Sequence, residues 1–310
     1  MPELGEFGRG VSKHRPRNDP KLLGGKYPLI QTGEVANSKL YITSYENTYS
    51  ELGLKQSKMW QAGTLCITIA ANIADTALLA FPACFPDSIM GFTPFYDVAN
   101  VKFVKYCFDV LQRDCKQISQ GTAQDNLSWE KLSTILFPCP PIEVQNTIAT
   151  ILSRYDSLIE NYQKQIKLLE ESAQRLYKEW FVDLRFPGHE NSKIVNGVPE
   201  GWEKTILCSL VEFKRGKTIT KKDVIEGNIP VVAGGLEPAY YCNKFNTSER
   251  VITISASGAN AGYTKMYFEK VWASDCSFAD NSMTSYLHFI FCFLRDNKTT
   301  IDNMQKGSAQ

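Results

Sequence analysis

The residue types that most often carry out catalysis or bind metals are few in this sequence, and their spacing suits neither role. No two cysteines have the C-x-x-C spacing typical of zinc sites, and no histidine lies near a cysteine pair. The histidines are His14, His189 and His288, and the cysteines are at positions 66, 84, 107, 115, 139, 208, 242, 276 and 292. We therefore predict no metal site in this chain.

Motifs of the common enzyme classes are also missing. An adenine methyltransferase would need an Asn/Asp-Pro-Pro-Tyr/Phe tetrapeptide, but the only Pro-Pro pair lies in Cys139-Pro140-Pro141-Ile142. The sequence has no Gly-x-Gly-x-x-Gly loop and no phosphate-binding-loop lysine motif. No spacing suggests a Ser/His/Asp or Cys/His set. We predict that the chain has no catalytic residues and binds no cofactor.

Composition favours a globular protein of two domains outside the membrane. The chain has 310 residues, 43% of them hydrophobic, and a formal net charge of only +1. Any contact with DNA must therefore come from local basic patches, because proteins that wrap DNA non-specifically are much more basic. The sequence begins without an apolar signal segment, and no apolar run approaches the roughly 18–20 residues of a membrane span. An odd number of cysteines without a disulfide framework then indicates a cytoplasmic protein with reduced thiols.

An internal repeat organises the chain. Four segments recur in the same order in its two halves, which we call copy one and copy two. The matched pairs are Glu6-Phe7-Gly8-Arg9-Gly10 with Glu212-Phe213-Lys214-Arg215-Gly216, residues 25–33 with 227–235, residues 67–72 with 252–257, and Gly121-Thr122-Ala123-Gln124 with Gly307-Ser308-Ala309-Gln310. Each match is weak alone, but the conserved order indicates duplication.

Each copy is predicted to be a mixed α and β domain. The β-branched runs Leu65–Ile69 and Val251–Ile254 are typical of buried strands, and glycines and prolines mark the turns between such runs. A more helical stretch, Val101–Gln117, ends copy one, and Leu287–Met304 is its counterpart in copy two.

Between the copies, the sequence predicts one long helix. Pro140-Pro141 suits the first turn of a helix, and Glu143 adds a carboxylate near the positive end of its dipole. The helix is expected to end near Asp183, before Phe186-Pro187-Gly188. Apolar residues recur at alternating spacings of four and three, which is typical of a coiled-coil seam. The seam consists of Ile148, Leu152, Tyr155, Ile159, Tyr162, Ile166, Leu169, Ala173, Leu176 and Trp180.

An ordinary core-facing helix would also present an apolar stripe, but its length argues against that alternative. From Pro141 to Phe181 the helix would measure about 60 Å at 1.5 Å per residue, more than the diameter of one small domain. Such a helix needs a partner along most of its length, and no second heptad run occurs in the chain. We therefore expect the partner helix to come from another polypeptide or from a missing part of this one.

Two basic segments occupy matching places in the repeat. The first contains Arg9, Lys13, His14, Arg15, Arg17 and Lys21, with Asp19 as its only acid, and the second contains Lys214, Arg215, Lys217, Lys221 and Lys222. Side chains of this type neutralise DNA phosphates and release counterions. Two solvated loops would look similar, but the recurrence at equivalent positions favours DNA contact.

Polar residues that follow the central strand of each copy are candidates for contact with base edges. They are Asn72 in copy one, and Ser255, Ser257 and Asn260 in copy two. The same residue types also make turns, so both roles stay open.

Five further segments carry a resemblance to a known family. They are Gly121-Thr122-Ala123-Gln124-Asp125-Asn126-Leu127; Phe137-Pro138-Cys139-Pro140-Pro141 with Gln145 and Ile148; Leu176-Tyr177-Lys178-Glu179-Trp180-Phe181-Val182-Asp183-Leu184-Arg185-Phe186-Pro187; Val198-Pro199-Glu200-Gly201-Trp202; and Val271-Trp272-Ala273-Ser274-Asp275-Cys276-Ser277. In this order they resemble the specificity subunit of Type I restriction–modification enzymes. The resemblance covers nearly the whole chain.

The resemblance implies an α+β fold, with two mixed α/β target-recognition domains separated by a long coiled-coil α-helix. The expected limits are 1–137 for the first domain, 138–183 for the helix, 184–199 for a linker and 200–310 for the second domain. Each domain would dock in the major groove of double-stranded DNA and recognise half of a bipartite site, and the helix would set the spacing.

Partners would supply the chemistry in such a complex. The resemblance implies methyltransferase subunits that use S-adenosylmethionine and a restriction subunit that uses ATP and Mg, with the helix docking the methyltransferase. Two alternatives remain open: a coiled-coil scaffold without DNA recognition, and the specificity part of a fused restriction–methylation enzyme.

The sequence also departs from the family pattern. Copy one lacks the Pro-x-Gly-Trp motif seen at 199–202, so we expect its first strand to be absent or atypical. The resemblance implies two helices that pair antiparallel, and the sequence stops at Gln310, where the second helix is expected to begin. We expect a split, truncated or recombined subunit that pairs with a second copy or a complementary fragment.

Overall fold

The computed structural model describes residues 3–70, 73–119, 136, 138–220, 222, 224–256 and 258–303. These divide into two compact units, Met1–Gln163 and Lys164–Gln310. The division falls inside the long helix, so each unit includes part of it. The matched repeat segments at 121–124 and 307–310 lie outside the described residues.

Unit 1 contains two β-sheets and three helices ahead of the long one. Its strands are β1 (Gly5–Arg9), β2 (Leu23–Leu29), β3 (Tyr41–Ile42), β4 (Asn47–Tyr49), β5 (Met59–Trp60), β6 (Leu65–Thr68), β7 (Thr76–Leu79), β8 (Ala83–Cys84) and β9 (Ile89–Pro94). The helices are α1 (Thr32–Asn37), α2 (Glu51–Lys55) and α3 (Val101–Ser119), with a single 3-10 turn at Pro20–Leu22. The larger sheet has the order β1-β9-β6-β7-β3 and the smaller one β4-β2-β8-β5.

The central strands of the larger sheet are buried on both faces, which explains their continuous apolar sequence. Side chains alternate between the faces of a strand. Leu65 and Ile67 of β6 pack in one cluster with Val104 and Phe108 of α3. Cys66, between them, belongs to a cluster on the opposite face with residues of the smaller sheet. The sheet is thus covered by a helix on one side and by a second sheet on the other.

The long helix, α4 (Ile142–Tyr177), follows, and a π-helical turn at Lys178–Val182 continues it. It begins directly after Pro141, whose carbonyl accepts hydrogen bonds from the amides of Val144 and Gln145 at 3.0 and 3.1 Å. The Asp183 amide donates to the carbonyl of Lys178 at 2.8 Å where the turn ends. The predicted long helix is therefore confirmed. Its length is about 54 Å over 36 α-helical residues.

Unit 2 contains the remaining elements. Its strands are β10 (Ile194–Val195), β11 (Val198–Pro199), β12 (Lys214–Arg215), β13 (Ile229–Val232), β14 (Tyr240–Cys242), β15 (Val251–Ser255), β16 (Thr264–Tyr267), β17 (Trp272–Ala273) and β18 (Cys276–Asp280). Its helices are α5 (Leu207–Leu210), α6 (Leu287–Asp296) and α7 (Lys298–Asn303), with 3-10 turns at His189–Asn191 and Gly258–Asn260. The helical stretch predicted at 287–304 is thus divided into two helices at Asn297.

The two copies share one topology, as the internal repeat predicts. The larger sheet of copy two has the order β12-β18-β15-β16, which corresponds strand by strand to β1-β9-β6-β7. The smaller sheet, β14-β13-β17, corresponds to β4-β2-β8. In the smaller sheets, the corresponding strand pairs β2 with β8 and β13 with β17 are both parallel. Ile252 of β15 packs with Leu287 and Ile290 of α6, as Ile67 packs with α3.

One expectation about copy one is wrong. Its first strand is present, because β1 pairs with β9 over five residues, from Gly5 to Arg9. The Phe7 ring lies against that of Phe92, with centroids 4.6 Å apart. This aromatic contact and the antiparallel ladder stabilise the strand without the Pro-x-Gly-Trp motif.

A glycine follows β1 in copy one and β12 in copy two, and a steric constraint explains why both positions are glycine. A Cβ on Gly10 would lie 2.2 Å from the carbonyl oxygen of Pro86, and one on Gly216 would lie 2.3 Å from that of Ser274. Both distances are far below van der Waals contact. Each glycine amide also donates to the neighbouring strand, to Ile89 and Cys276 respectively. Only glycine permits this close approach, so the matching Arg-Gly pairs mark the same junction in both copies.

Among the helices that the structure describes, none is long and apolar enough to cross a membrane.

Candidate nucleic-acid interface

The first basic segment is an ordered loop between β1 and the turn at Pro20–Leu22. The His14 Nε2 atom lies 3.0 Å from a carboxylate oxygen of Asp19, whose other oxygen accepts a hydrogen bond from the Lys21 amide. That backbone hydrogen bond, together with His14, lowers the pKa of the Asp19 carboxyl. The His14 amide donates to the side chain of Gln56 at 3.0 Å. The contacts of Asp19 are therefore with residues of this loop, and they stabilise its conformation.

A second acid, Asp87, organises the arginines of this segment. It lies in the loop between β8 and β9. Its carbonyl accepts from Arg9 Nε at 2.6 Å, and its carboxylate pairs with Arg15 at 3.4 Å and with Arg17. The sequence did not suggest this residue, because 70 or more positions separate it from the arginines.

The basic side chains of the loop differ in the number of hydrogen bonds and ion pairs that they form within the protein. Arg15 Nη1 donates to the carbonyls of Ser12 at 2.5 Å and His14 at 2.9 Å, in addition to the Asp87 contact. Lys13 and Lys21 are exposed and have no ion-pair partner within the described part of the chain. The two lysines are thus the most accessible charges for a phosphate group.

A surface cavity of about 410 Å³ is lined in part by Arg17. Its polar lining residues are Arg17, Asn18, Gln31, Thr32, Asn47 and Ser88. Amide and guanidinium groups are the side-chain types that pair with adenine and guanine edges in the major groove. The cavity therefore places suitable donors and acceptors next to positive charge.

The second basic segment lies at the corresponding place in unit 2. Lys214 and Arg215 form β12, an exposed edge strand that pairs with β18. The Lys217 amide donates to the Ala273 carbonyl, and its own carbonyl accepts from Trp272 Nε1 at 2.7 Å. Lys222 is exposed, whereas Lys221 lies outside the described residues.

The candidate base-contacting residues of copy two have structural partners. Ser255 is buried, and its hydroxyl donates to the Gly234 carbonyl at 3.2 Å. The Asn260 side-chain amide donates to the same carbonyl at 3.3 Å. These bonds hold the turn after β15, and base contact by either residue stays a prediction. Ser257 and Asn72 lie outside the described residues.

Within unit 1, the buried side chain of Gln145 joins the start of α4 to the start of α3. Its Oε1 accepts from the Asn100 amide at 3.0 Å, and its Nε2 donates to the carbonyls of Val98 at 3.2 Å and Pro140 at 2.9 Å. The Asn100 side chain in turn accepts hydrogen bonds from the amides of residues 102 and 103 and so caps α3.

The next turns of α4 pack directly on α3. Ile148 and Ala149 contact Phe103 and Cys107. Tyr106 donates to the Asp156 carboxylate at 2.5 Å, and burial together with this contact raises the pKa of Tyr106. The expectation that the helix finds its partner only in another polypeptide is therefore wrong for its first turns. The α3 sequence has no heptad pattern, so the sequence alone does not indicate this pairing.

Within unit 2, an aromatic cluster holds the end of the helix. The Phe181 ring lies 4.8 Å from Phe289 and 5.6 Å from Trp202, while Tyr177 lies 5.4 Å from Phe289. Phe186 stacks on Trp202 at 5.1 Å. On the same stretch, Gln174 donates to the Cys292 carbonyl, and Glu170 pairs with Arg295 at 3.0 Å. Each end of the helix is thus fixed to its own unit.

Between these ends, the predicted seam is open to solvent. Ile148 and Trp180, at the two ends, are half-buried, and the other seam residues are exposed. Among the large apolar ones, exposure runs from 38% for Leu152 to 69% for Leu169. Contiguous exposed apolar side chains are typical of surfaces that take part in interactions.

The thiols whose side chains are described are all unpaired. Burial raises the pKa of Cys107 and of Cys276 to about 11. Across the described residues, no group of three or more His, Cys, Asp or Glu side chains is arranged to hold a metal ion.

Fold and site together define a binding protein of two duplicated α+β domains joined through a long helix, with a basic segment at the same place in each. The family model of the Type I restriction modification DNA specificity domain matches this chain twice, at residues 2–171 and 199–310. The chain belongs to this family, as the resemblance of its motifs predicted.

The relatives agree with this assignment. The chain is 27% identical over 302 residues to the Type I restriction enzyme MjaIX specificity subunit of Methanocaldococcus jannaschii, an alignment that covers 88% of this chain and 70% of that protein. The MjaVIII specificity subunit of the same organism is 28% identical over 128 residues, 41% of this chain and 30% of the relative. The fold is similar to the crystal structure of the Type I restriction–modification S subunit from M. genitalium, with a TM-score of 0.58, 17% identity, and coverage of 99% of this chain and 78% of that one.

Proposed function

We propose that this chain is the sequence-specific DNA-recognition subunit of a Type I restriction–modification complex, acting in the cytoplasm. Each copy binds one half of a bipartite duplex site. The observation that carries the proposal is the match of one DNA specificity family to both copies, which also share one strand order.

Charge placement supports the proposed contact with DNA. The net charge of +1 gives little general attraction to phosphate, but basic residues are concentrated after β1 and at β12, the corresponding strands of the two copies. Lysine and arginine side chains in these places would neutralise phosphates and release counterions, so binding is expected to weaken as salt rises. Phosphate contacts would fix the register of each copy, and base contacts would supply the specificity.

The long helix is proposed to set the distance between the half-sites. One residue of α-helix corresponds to about 1.5 Å, and one turn of duplex to about 34 Å. The contacts of Gln145 at one end and of Phe181 at the other support rigid attachment of the helix to each unit. The unread spacer between the half-sites would therefore follow helix length.

Partners are proposed to carry out all the chemistry. Methyltransferase subunits would dock on the helix and supply S-adenosylmethionine, and a restriction subunit would supply ATP and Mg, while this chain would hold no cofactor and no catalytic residue. A helix from a second specificity chain, either another copy or a complementary fragment, would cover the exposed seam. The exposure of Leu169 and Tyr162 supports such pairing.

Selection of duplexes from a randomised library by the purified full chain, followed by sequencing, tests the proposal. The expected product is a motif of two short fixed sequences separated by a fixed number of unread base pairs. A gel shift measured at several salt concentrations should show affinity that falls steeply with salt. A chain that dimerises but retains no duplex would instead act as a coiled-coil scaffold.

A further inference from the structure

Arg17 differs from the other arginines of the first basic segment in its geometry. A guanidinium carries five N–H donors in a planar fork. Arg17 uses Nη2 to pair with the Asp87 carboxylate, and Asp87 is its only hydrogen-bond partner among the residues that the structure describes. Its side chain is 47% exposed and lines the polar cavity. The guanidinium is therefore held beside Asp87 through one nitrogen, while most of its donors remain available.

The orientation of the guanidinium matters more for a contact with a base edge than for a contact with a phosphate. A phosphate accepts hydrogen bonds from many directions and needs mainly a nearby positive charge. A guanine edge presents two acceptors, O6 and N7, and the bidentate contact of an arginine requires the plane of its fork to match them, whereas a lysine reaches them as a point charge. An acidic partner that restricts the side chain before binding reduces the conformational entropy lost when the base is contacted.

We propose that Arg17 recognises a guanine edge in the half-site bound by copy one, and that Asp87 is the residue that positions it. The inference rests on the proposed function and deepens it by naming a specificity-determining side chain. Asn18 and Asn47, which line the same cavity, provide amide groups for a neighbouring base pair.

The contacts of the neighbouring basic residues indicate that they have different roles. The hydrogen bonds of Arg15 to two carbonyls make it a structural clamp of the loop. Lys13 and Lys21, exposed on the same loop, are phosphate contacts. The loop of copy two that corresponds to the Asp87 loop also contains an acid, Asp275, between the Gly216 contact at Ser274 and the start of β18. An acid beside the basic segment is therefore a repeated feature of the domain.

The test compares three variants of the full chain by duplex selection and by affinity at several salt concentrations. Arg17→Lys keeps the positive charge and loses the planar fork, so it separates base recognition from phosphate contact. Asp87→Asn keeps the shape of the positioning residue and removes its charge. Lys13→Ala is the matched control for a phosphate contact. Thermal unfolding of each variant verifies that the fold is retained.

We expect R17K to weaken the preference at one base pair of one half-site and to bind the wild-type site about 10- to 100-fold more weakly. Its salt dependence should stay that of wild type. Asp87→Asn should relax the same base pair, which a purely structural role would not do. Lys13→Ala should weaken binding to all sequences alike and reduce the salt slope by about one. The second half-site is an internal control and stays unchanged in all three.

Two results would overturn the inference while the proposed function stands: an unchanged motif with R17K, or a uniform loss of affinity across all sequences with a reduced salt slope. A wild-type chain that selects no bipartite motif would instead refute the proposed function, and the inference with it. The two failures are distinguishable because the wild-type selection is read first.

Discussion

Replacing Gln145 with alanine tests how the long helix is held by copy one. The side chain is buried and makes three hydrogen bonds to backbone groups that no helix or sheet ladder satisfies. Leaving the Asn100 amide without a partner costs about 1–3 kcal/mol, and each of the two lost bonds to carbonyl groups costs about 1 kcal/mol. We expect the free energy of unfolding of unit 1 to fall by about 3 kcal/mol, since neighbouring groups or water replace part of the loss.

The assay is thermal unfolding followed by circular dichroism, with hydrogen exchange at the Asn100 amide as a local readout. For a domain of this size, a loss of about 3 kcal/mol lowers Tm by roughly 6–12 °C. Gln163→Ala is the matched control, because Gln163 is an exposed glutamine on the same helix. Alanine has the higher helix propensity, so this control should leave Tm unchanged or raise it slightly.

The same variant has a functional consequence. With the start of α4 released from Val98 and Asn100, its direction relative to copy one is less fixed, and duplex selection should return sites with mixed spacer lengths. If Q145A and Q163A unfold at the same temperature and select the same spacer, the structural role assigned to Gln145 is refuted.

Two other predictions concern the far end of the helix and the thiols. Alanine substitutions of Phe181 and Phe289, singly and together, should give a coupling energy of about 1 kcal/mol in a double-mutant cycle of unfolding, and additive effects would show that their contact at 4.8 Å contributes nothing. A thiol reagent at pH 8 should label the exposed Cys139 and Cys208 rapidly and Cys107 and Cys276 slowly, because burial shields the latter pair and raises their pKa to about 11; equal rates, read by mass spectrometry, would contradict the burial.

The sequence carried enough information to predict the framework of the fold. Strands such as Leu65–Ile69 and Val251–Ile254 were recognisable because both faces are buried, so every residue is apolar or small. The helix was recognisable because the apolar residues of its seam keep the same alternating spacing of four and three along its whole length. The repeat was detectable at Gly10 and Gly216, where the close approach of a carbonyl excludes every other residue.

The parts that were missed depend on contacts between distant segments. Asp87 is an ordinary loop acid in the sequence, and only folding brings it to Arg15 and Arg17. Gln145 belonged to a recognised motif, but its three backbone partners lie on two loops that sequence patterns do not relate. The pairing of α3 with the start of α4 has no heptad signal, because it consists of a few contacts such as Ile148 with Phe103.

The spacer length of the selected DNA site is the most direct measurement of the central claim, that the helix sets the distance between two half-sites. Duplicating Lys164–Glu170 adds one heptad, about 10.5 Å at 1.5 Å per residue, and keeps the apolar seam in phase. The same seven residues inserted after Asn191, beyond the helix, are the control. The account predicts that the duplication lengthens the unread spacer by about three base pairs at 3.4 Å each and leaves both half-sites unchanged, while the control keeps the wild-type spacer. An unchanged spacer with the duplicated heptad, or altered half-site sequences, would contradict it.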